Sequence, residues 1–281
     1  MLESFNKKTF IFIDIYIELM RITVYGVKGG IGKSTICLTL GKTLARKGKK
    51  VLIIDRDPLG WSSNVIGIKD KGLINSIIDN ISANFFKSVK VENGYLDVIK
   101  FYGDPSRVFN DSYILTRNRE AKKKFEEIYS NILHTNKYDF YIVDNFAMVN
   151  YNDDIVFHER EVFYRILPNI ESYRIYVSDH SATTLKNTEN YIEKIEKSTN
   201  IGKPLGLTVN MVPPYPKDLE DIRIEVEKIL QRKKLGIGII IPFIEKLFGF
   251  SGTLNELDIP NQIDKLSDNI IKGFLTGYII T

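Results

Sequence analysis

Residues Lys28-Gly29-Gly30-Ile31-Gly32-Lys33-Ser34-Thr35 constrain this chain more than any other stretch. Three glycines, two lysines and two hydroxyls follow directly on the short β-rich run Ile22–Gly26. Beyond them Ile36, Leu40 and Leu44 recur on one helical face. A strand, a glycine loop and a helix in that order form a phosphate cradle. The glycines let the backbone curl so that successive N–H groups point at one anion, and the helix adds its positive N-terminal end. Lys33 is then placed to reach the β- and γ-phosphates of a nucleotide, and the Ser34 hydroxyl to hold Mg²⁺.

The rest of the chain supplies a sheet for such a loop. Further apolar runs at Val51–Asp55, Leu96–Phe101, Phe140–Asp144, Tyr173–Ser178, Leu205–Met211 and Ile237–Ile241 alternate with segments of helical period. Leu219, Ile222, Val226 and Ile229 share one such face, and helices are expected at about 183–197 and 262–275. This is the pattern of an α/β P-loop protein, a twisted, mostly parallel sheet with helices on both faces. No repeat or linker-like stretch interrupts it, so residues 20–281 are expected to form a single domain. Residues 1–19 read as an accessory arm or the product of an upstream start.

Composition removes several alternatives. The only cysteine, Cys37, excludes an intramolecular disulfide framework and any paired-cysteine metal site within one subunit. His134, His158 and His180 show no metal-ligand spacing. No run reaches the ~18 apolar residues of a membrane span; the nearest, Phe10–Met20, is broken by Asp14 and Glu18. These features suggest a reduced, cytoplasmic protein. With 39 Lys+Arg against 35 Asp+Glu, the net charge of +4 permits a nucleic-acid partner without demanding one.

An ordinary P-loop would carry glycine at position 27, where this chain has Val27 followed by Lys28. This loop resembles the deviant Walker A motif of the ParA/MinD family of ATPases. The resemblance implies that Lys28 reaches across an ATP-bound homodimer to the partner's phosphates, much as an arginine finger acts in trans. The run Asp55-Arg56-Asp57-Pro58 resembles the family's D-x-D-P segment. That likeness assigns Asp57 to the attacking water and the magnesium shell, and Asp55 to support. Asp144, closing the apolar strand Phe140–Asp144, takes the Walker B place and would hold Mg²⁺ through water, opposite Ser34. Asn210 and the pair Pro242-Phe243 correspond to the family's adenine contacts; an Asn amide is able to read N6 and N7 of adenine together. Departures from the family pattern are Leu59, Trp61 and Asn145-Phe146-Ala147.

The family resemblance implies ATP and Mg²⁺ as cofactors and ATP hydrolysis as the activity. Basic clusters at Lys42–Lys50, at Arg117, Arg119, Lys122, Lys123 and Lys124, and at Lys228, Arg232, Lys233 and Lys234 are candidate contacts to DNA phosphates. The expected function is ParA-like: a dimer that binds DNA non-specifically with ATP, on the nucleoid, and answers to a ParB-like adaptor during plasmid or chromosome partition. The alternatives are a MinD-like membrane-positioning ATPase and a metabolic P-loop enzyme. The tail Asn269–Thr281 is apolar, but its glycines and β-branched residues make a poor membrane-surface helix. No membrane is therefore expected.

Overall fold

A computed structural model describes residues 19–281, so the arm expected at 1–19 lies, apart from Leu19, outside the described residues. The strands are β1 (Met20–Gly26), β2 (Lys50–Asp55), β3 (Phe86–Val91), β4 (Gly94–Lys100) and β5 (Phe140–Asp144), then β6 (Glu171–Asp179), β7 (Lys203–Val212), β8 (Ile237–Pro242) and β9 (Tyr278–Ile280). The helices are α1 (Lys33–Arg46), α2 (Trp61–Val65), α3 (Leu73–Ile78), α4 (Val108–Arg117) and α5 (Arg119–Thr135). They continue with α6 (Asp154–Ile166), α7 (Ala182–Ser198), α8 (Pro216–Lys233), α9 (Glu245–Phe248) and α10 (Asn261–Ile271). One sheet takes all nine strands in the order β3-β4-β2-β5-β1-β6-β7-β8-β9, and every pairing except β3 with β4 is parallel.

The strands read as almost unbroken apolar runs because both faces of the sheet are covered. On one face, Ile22, Val24, Val51, Ile53 and Ile142 pack with Ile36, Leu40 and Leu44 of α1 and with Leu266 and Ile270 of α10. On the other, Tyr25, Leu52, Ile54, Val143 and Tyr176 meet Phe125 and Tyr129 of α5, Phe163 of α6, Ile192 of α7 and Val226 of α8. The face expected on α8 is divided by depth: Val226 and Ile229 are buried, while Leu219 and Ile222 are half-covered.

Two strands were not legible in the sequence. β3, Phe-Lys-Ser-Val-Lys-Val, forms a hairpin with β4 through Glu92 and Asn93, with Glu92 in the left-handed region at φ 49°. It lies at the sheet edge, where Lys87 and Lys90 discourage pairing with another chain. At the other edge the closing helix ends at Ile271 rather than near 275. Gly273 at φ 73° lets the Phe274 N–H return to the Asn269 carbonyl at 2.8 Å, a Schellman stop. The chain then adds β9 beside β8, so the apolar residues Tyr278, Ile279 and Ile280 are used inside the sheet.

One polar cluster is buried under the second face. Glu159 on α6 accepts two hydrogen bonds from Arg21 on β1, at 2.9 and 2.7 Å, and one each from Arg56 at 3.3 Å and Tyr129 at 2.6 Å. All three charged side chains are almost fully buried. Removing the central anion would leave two buried guanidiniums uncompensated. Glu159→Gln is therefore expected to lower stability by about 3–5 kcal/mol, read from urea unfolding, without an apolar cavity to share the blame.

Candidate nucleotide-binding site

The strand order turns around β1. β5 lies on one side of it and β6 on the other, so the crevice at their C-terminal ends is where a doubly wound sheet binds ligands. The glycine loop occupies that crevice. Gly30 and Gly32 take φ of 75° and 91°, and a Cβ at Gly29 or Gly30 would meet nothing within 4 Å. Helix α1 begins at Lys33 without a side-chain cap and without an acidic residue in its first turn. Its first N–H groups therefore remain available to an anion. Lys33 is buried, and its ammonium donates to the Lys28 carbonyl at 3.2 Å, so it curls back over the loop it serves.

Behind the loop stand the acids. Parallel register sets Asp55 of β2 beside Asp144 of β5, and both are fully buried. Burial raises both carboxyls well above the usual carboxylate range. The second contribution is repulsion from Asp144 for Asp55, and from Asp57 for Asp144. Hydrogen bonds offset part of this. Ser63 donates to Asp55 through both its N–H, at 3.0 Å, and its hydroxyl, at 2.5 Å. Ser62 donates to Asp144 at 2.9 Å. Asp144 Oδ1 is left buried with no partner. A crowded, unneutralised set of carboxylates with a free oxygen suits a divalent cation, so the residues present fit Mg²⁺.

The short helix α2 was not singled out in the sequence, and it matters here. Gly60 in the left-handed region, at φ 59°, turns the chain after Asp57 so that Ser62 and Ser63 face back to the two acids. A serine pair seven and eight residues beyond the end of a strand has no signature of its own. Its meaning depends on the turn.

A cleft of about 700 Å³ opens in front of the loop. It brings together Gly29, Gly30, Gly32, Lys33, Ser34, Thr35, Asp57, Asn210 and Pro242 among the expected residues. Its far end is apolar, with Trp61, Ile244, Leu247, Phe248 and Phe250, wide enough for a planar base. Phe243 is not part of this lining; it packs against Phe248 with ring centroids 5.4 Å apart. Ile31 is also turned away, buried against the core. Asn210 does more than line the cleft, since its amide donates to the Ile31 carbonyl at 3.0 Å and so holds the loop from β7.

Lys28 leaves the cleft altogether. Its ammonium pairs with Asp179 at the end of β6, 2.5 Å away, while its side chain stays 53% exposed. Burial pushes the Asp179 carboxyl up, but hydrogen bonds from Lys28 and Ser181 outweigh this and hold it down at about 2.

The basic clusters are mostly engaged. Lys122 pairs with Glu161, Lys123 with Glu127, Lys228 with Glu225, Lys233 with Glu193, and Arg232 with both Glu189 and Glu225. Arg117 stacks on Tyr113 and Lys124 bonds to Asn80. Among the described residues Arg119 and Lys234 alone of these nine have no partner. The clusters also lie apart. α5 packs on α3, α4 and α6, whereas α8 packs on α7, β7 and β8.

Known proteins match this arrangement. The AAA-domain family matches residues 20–156. An uncharacterized protein of Methanocaldococcus jannaschii is 33% identical over 138 residues, 45% of this chain and 50% of that one. The chromosome partitioning protein ParA of Caulobacter vibrioides is 36% identical over 93 residues, 32% of this chain and 35% of ParA. The matched stretches thus span half or less of these relatives. Among solved structures, the septum site-determining protein MinD of Pyrococcus horikoshii, complexed with Mg-ADP, superposes with a TM-score of 0.60 at 18% identity, over 90% of this chain and 95% of MinD. The sequence matches over the first half of the chain and the sheet shared with MinD thus liken it to the ParA/MinD group of P-loop proteins.

The tightest contact in the site yields a prediction. A Cβ on Gly32 would sit 2.2 Å from Asn210 Nδ2 at a φ of 91°. Gly32→Ala is expected to displace the loop and weaken nucleotide binding at least a hundredfold, measured by titration calorimetry, with the far-ultraviolet circular dichroism unchanged.

Proposed function

We propose that the chain, working as a single domain over 20–281, is an ATPase whose nucleotide-bound form is a homodimer. It would serve ParA-like DNA partition. The observation that carries this reading is a cleft lined by Lys33, Ser34 and Asp57, with Asp144 buried behind it and Lys28 directed away from it. The loop N–H groups and Lys33 hold the phosphates of ATP. Ser34 and Asp144 hold Mg²⁺, with Asp57 beside its shell. Bound there, the ion would offset charge on the transferred phosphoryl group. Asp57, at the lip of the cleft, is placed to orient water, and Pro242 and Asn210 flank the base.

Lys28 gives the reading its dimer. In one subunit it meets an aspartate rather than its own cleft, so a cation at that site serves phosphates brought by a second copy. Reaching them requires leaving Asp179. Lys28 is half-exposed although Asp179 is buried, so the lysine is free to exchange that carboxylate for a multiply charged phosphate.

Partition is favoured over membrane positioning for two reasons. ParA is a sequence relative. The apolar tail that a membrane role would need is built into the sheet as β9. Among the described residues, no helix is long and apolar enough to cross a membrane. DNA contact would rest on Arg119, Lys234 and whichever paired lysines exchange their acids for phosphate, with a ParB-like adaptor stimulating hydrolysis.

Lys33→Ala and Lys28→Ala are expected to abolish ATP turnover, and Asp57→Ala to accumulate an ATP-bound dimer on size-exclusion chromatography. Full turnover by a monomeric Lys28→Ala protein would refute the cross-subunit role. Binding to non-specific duplex and to anionic liposomes, each with ATP and with ADP, separates the surfaces. Salt-sensitive retention on DNA with ATP alone is expected. Retention on liposomes only would transfer the function to membrane positioning.

A further inference from the structure

A second charged site lies under the other face of the sheet, away from the glycine loop. A cavity of about 20 Å³ is lined by Arg21, Arg56, Arg160 and Arg174 together with Tyr25 and Tyr151, and no carboxylate residue lines it. The acids nearest these arginines are already saturated. Glu159 accepts from Arg21 twice, from Arg56 and from Tyr129. Glu196 takes both forks of Arg174, at 2.6 Å each. Among the described residues Arg160 has no acid partner; its guanidinium lies 3.6 Å over the Tyr151 ring and donates to the Tyr151 carbonyl at 2.6 Å. Three of these guanidiniums are buried against two carboxylates, and Arg160 is only partly buried, so the buried space holds one positive charge in excess among the described residues.

Two donors there have nothing to donate to. Arg56 Nε and the Tyr151 hydroxyl are both buried and without a partner, and Arg56 is 1% exposed. Arg56, Arg174, Arg21 and Tyr151 all act electrostatically on the Tyr25 hydroxyl, which places them around a common point. Buried donors left unpaired cost about 1–3 kcal/mol each, and more when charged. Uncompensated buried charge costs several kcal/mol besides. A single water would answer the donors but not the charge.

We propose that this cavity is a binding site for one small monovalent anion of the halide class, held by Arg56 Nε and the Tyr151 hydroxyl within the arginine cluster. The volume admits about one water-sized species and no phosphate or organic acid. Ile201, 42% exposed, marks the side from which an ion enters. Arg56 lies between Asp55 and Asp57, so the anion also fixes the backbone that carries Asp57. The inference rests on residues separate from the nucleotide cleft and stands whatever the nucleotide does.

The test uses the full chain. Crystals grown with bromide in place of chloride are expected to show an anomalous peak within hydrogen-bond distance of Arg56 Nε and Tyr151 Oη. In solution, unfolding is compared in chloride, bromide and gluconate at equal ionic strength. Chloride or bromide at ten times its dissociation constant is expected to lower the unfolding equilibrium constant about tenfold relative to gluconate. Tyr151→Phe, which removes only the hydroxyl, is expected to weaken the halide effect at least fivefold. Arg160→Met reads the same dependence should the tyrosine variant not fold. A water refined at the site with no anomalous signal, or equal unfolding in all three salts, overturns the proposal.

Discussion

Two carboxylates buried side by side are the constraint around which this molecule is arranged. Asp55 and Asp144 sit in register on adjacent parallel strands, with no lysine or arginine between them. Such a pair raises the energy of the folded chain unless something compensates it. Three devices do so within reach: Ser62 and Ser63 donate directly, the first turn of α1 offers its positive end, and Lys33 bends over the loop above. The remaining deficit is a free carboxylate oxygen. The site is thus poised for a cation and an anion together, and Mg²⁺ with a triphosphate supplies both.

That logic explains which parts were legible in the sequence. The glycine loop, and the apolar strands Val51–Asp55 and Phe140–Asp144, carry their geometry locally, because glycine torsions and a twice-buried strand leave few alternatives. Loop, Asp57, Asn210 and Pro242 are therefore found together in the crevice, with Asp55 and Asp144 buried behind it. What stayed hidden depends on partners distant in sequence. Strand β3 alternates lysine with apolar residues and takes its meaning only from pairing with β4. Strand β9 has three residues and exists because β8 offers an edge. Phe243 looked like a neighbour of Pro242 in the cleft, but alternation along the chain turns it outward to Phe248.

Charge was the least legible property. Lys228–Lys234 is a run of basic residues on paper, yet on α8 Asp218, Glu220, Asp221, Glu225 and Glu227 match Lys217, Arg223, Lys228, Arg232 and Lys233 one for one. A helix so balanced is solvated by its own ion pairs, each worth a few tenths of a kcal/mol. Pairs that weak yield readily to a phosphate backbone, where counterion release adds a favourable contribution for each cation engaged. For the DNA contact proposed above, local pairing would therefore lower the resting affinity without removing the capacity for it. The consequence is a surface more dependent on doubling in a dimer than a row of unpaired lysines would be.

The same comparison of weak and strong pairings governs Lys28. Its bond to Asp179 sets where the cation waits. Asp179 lies at the end of β6 and its carboxylate caps the turn into α7 through Ser181, whose hydroxyl donates to Asp179 at 2.7 Å. When Lys28 moves to a partner's phosphates, Asp179 keeps the Ser181 bonds and loses a full counter-charge. The start of α7 would thereby sense the departure, in a carboxylate still held by the two Ser181 bonds. In the proposed dimer one lysine would thus link the nucleotide of one subunit to the α7 surface of the other, through an ion pair able to exchange and a turn able to register it.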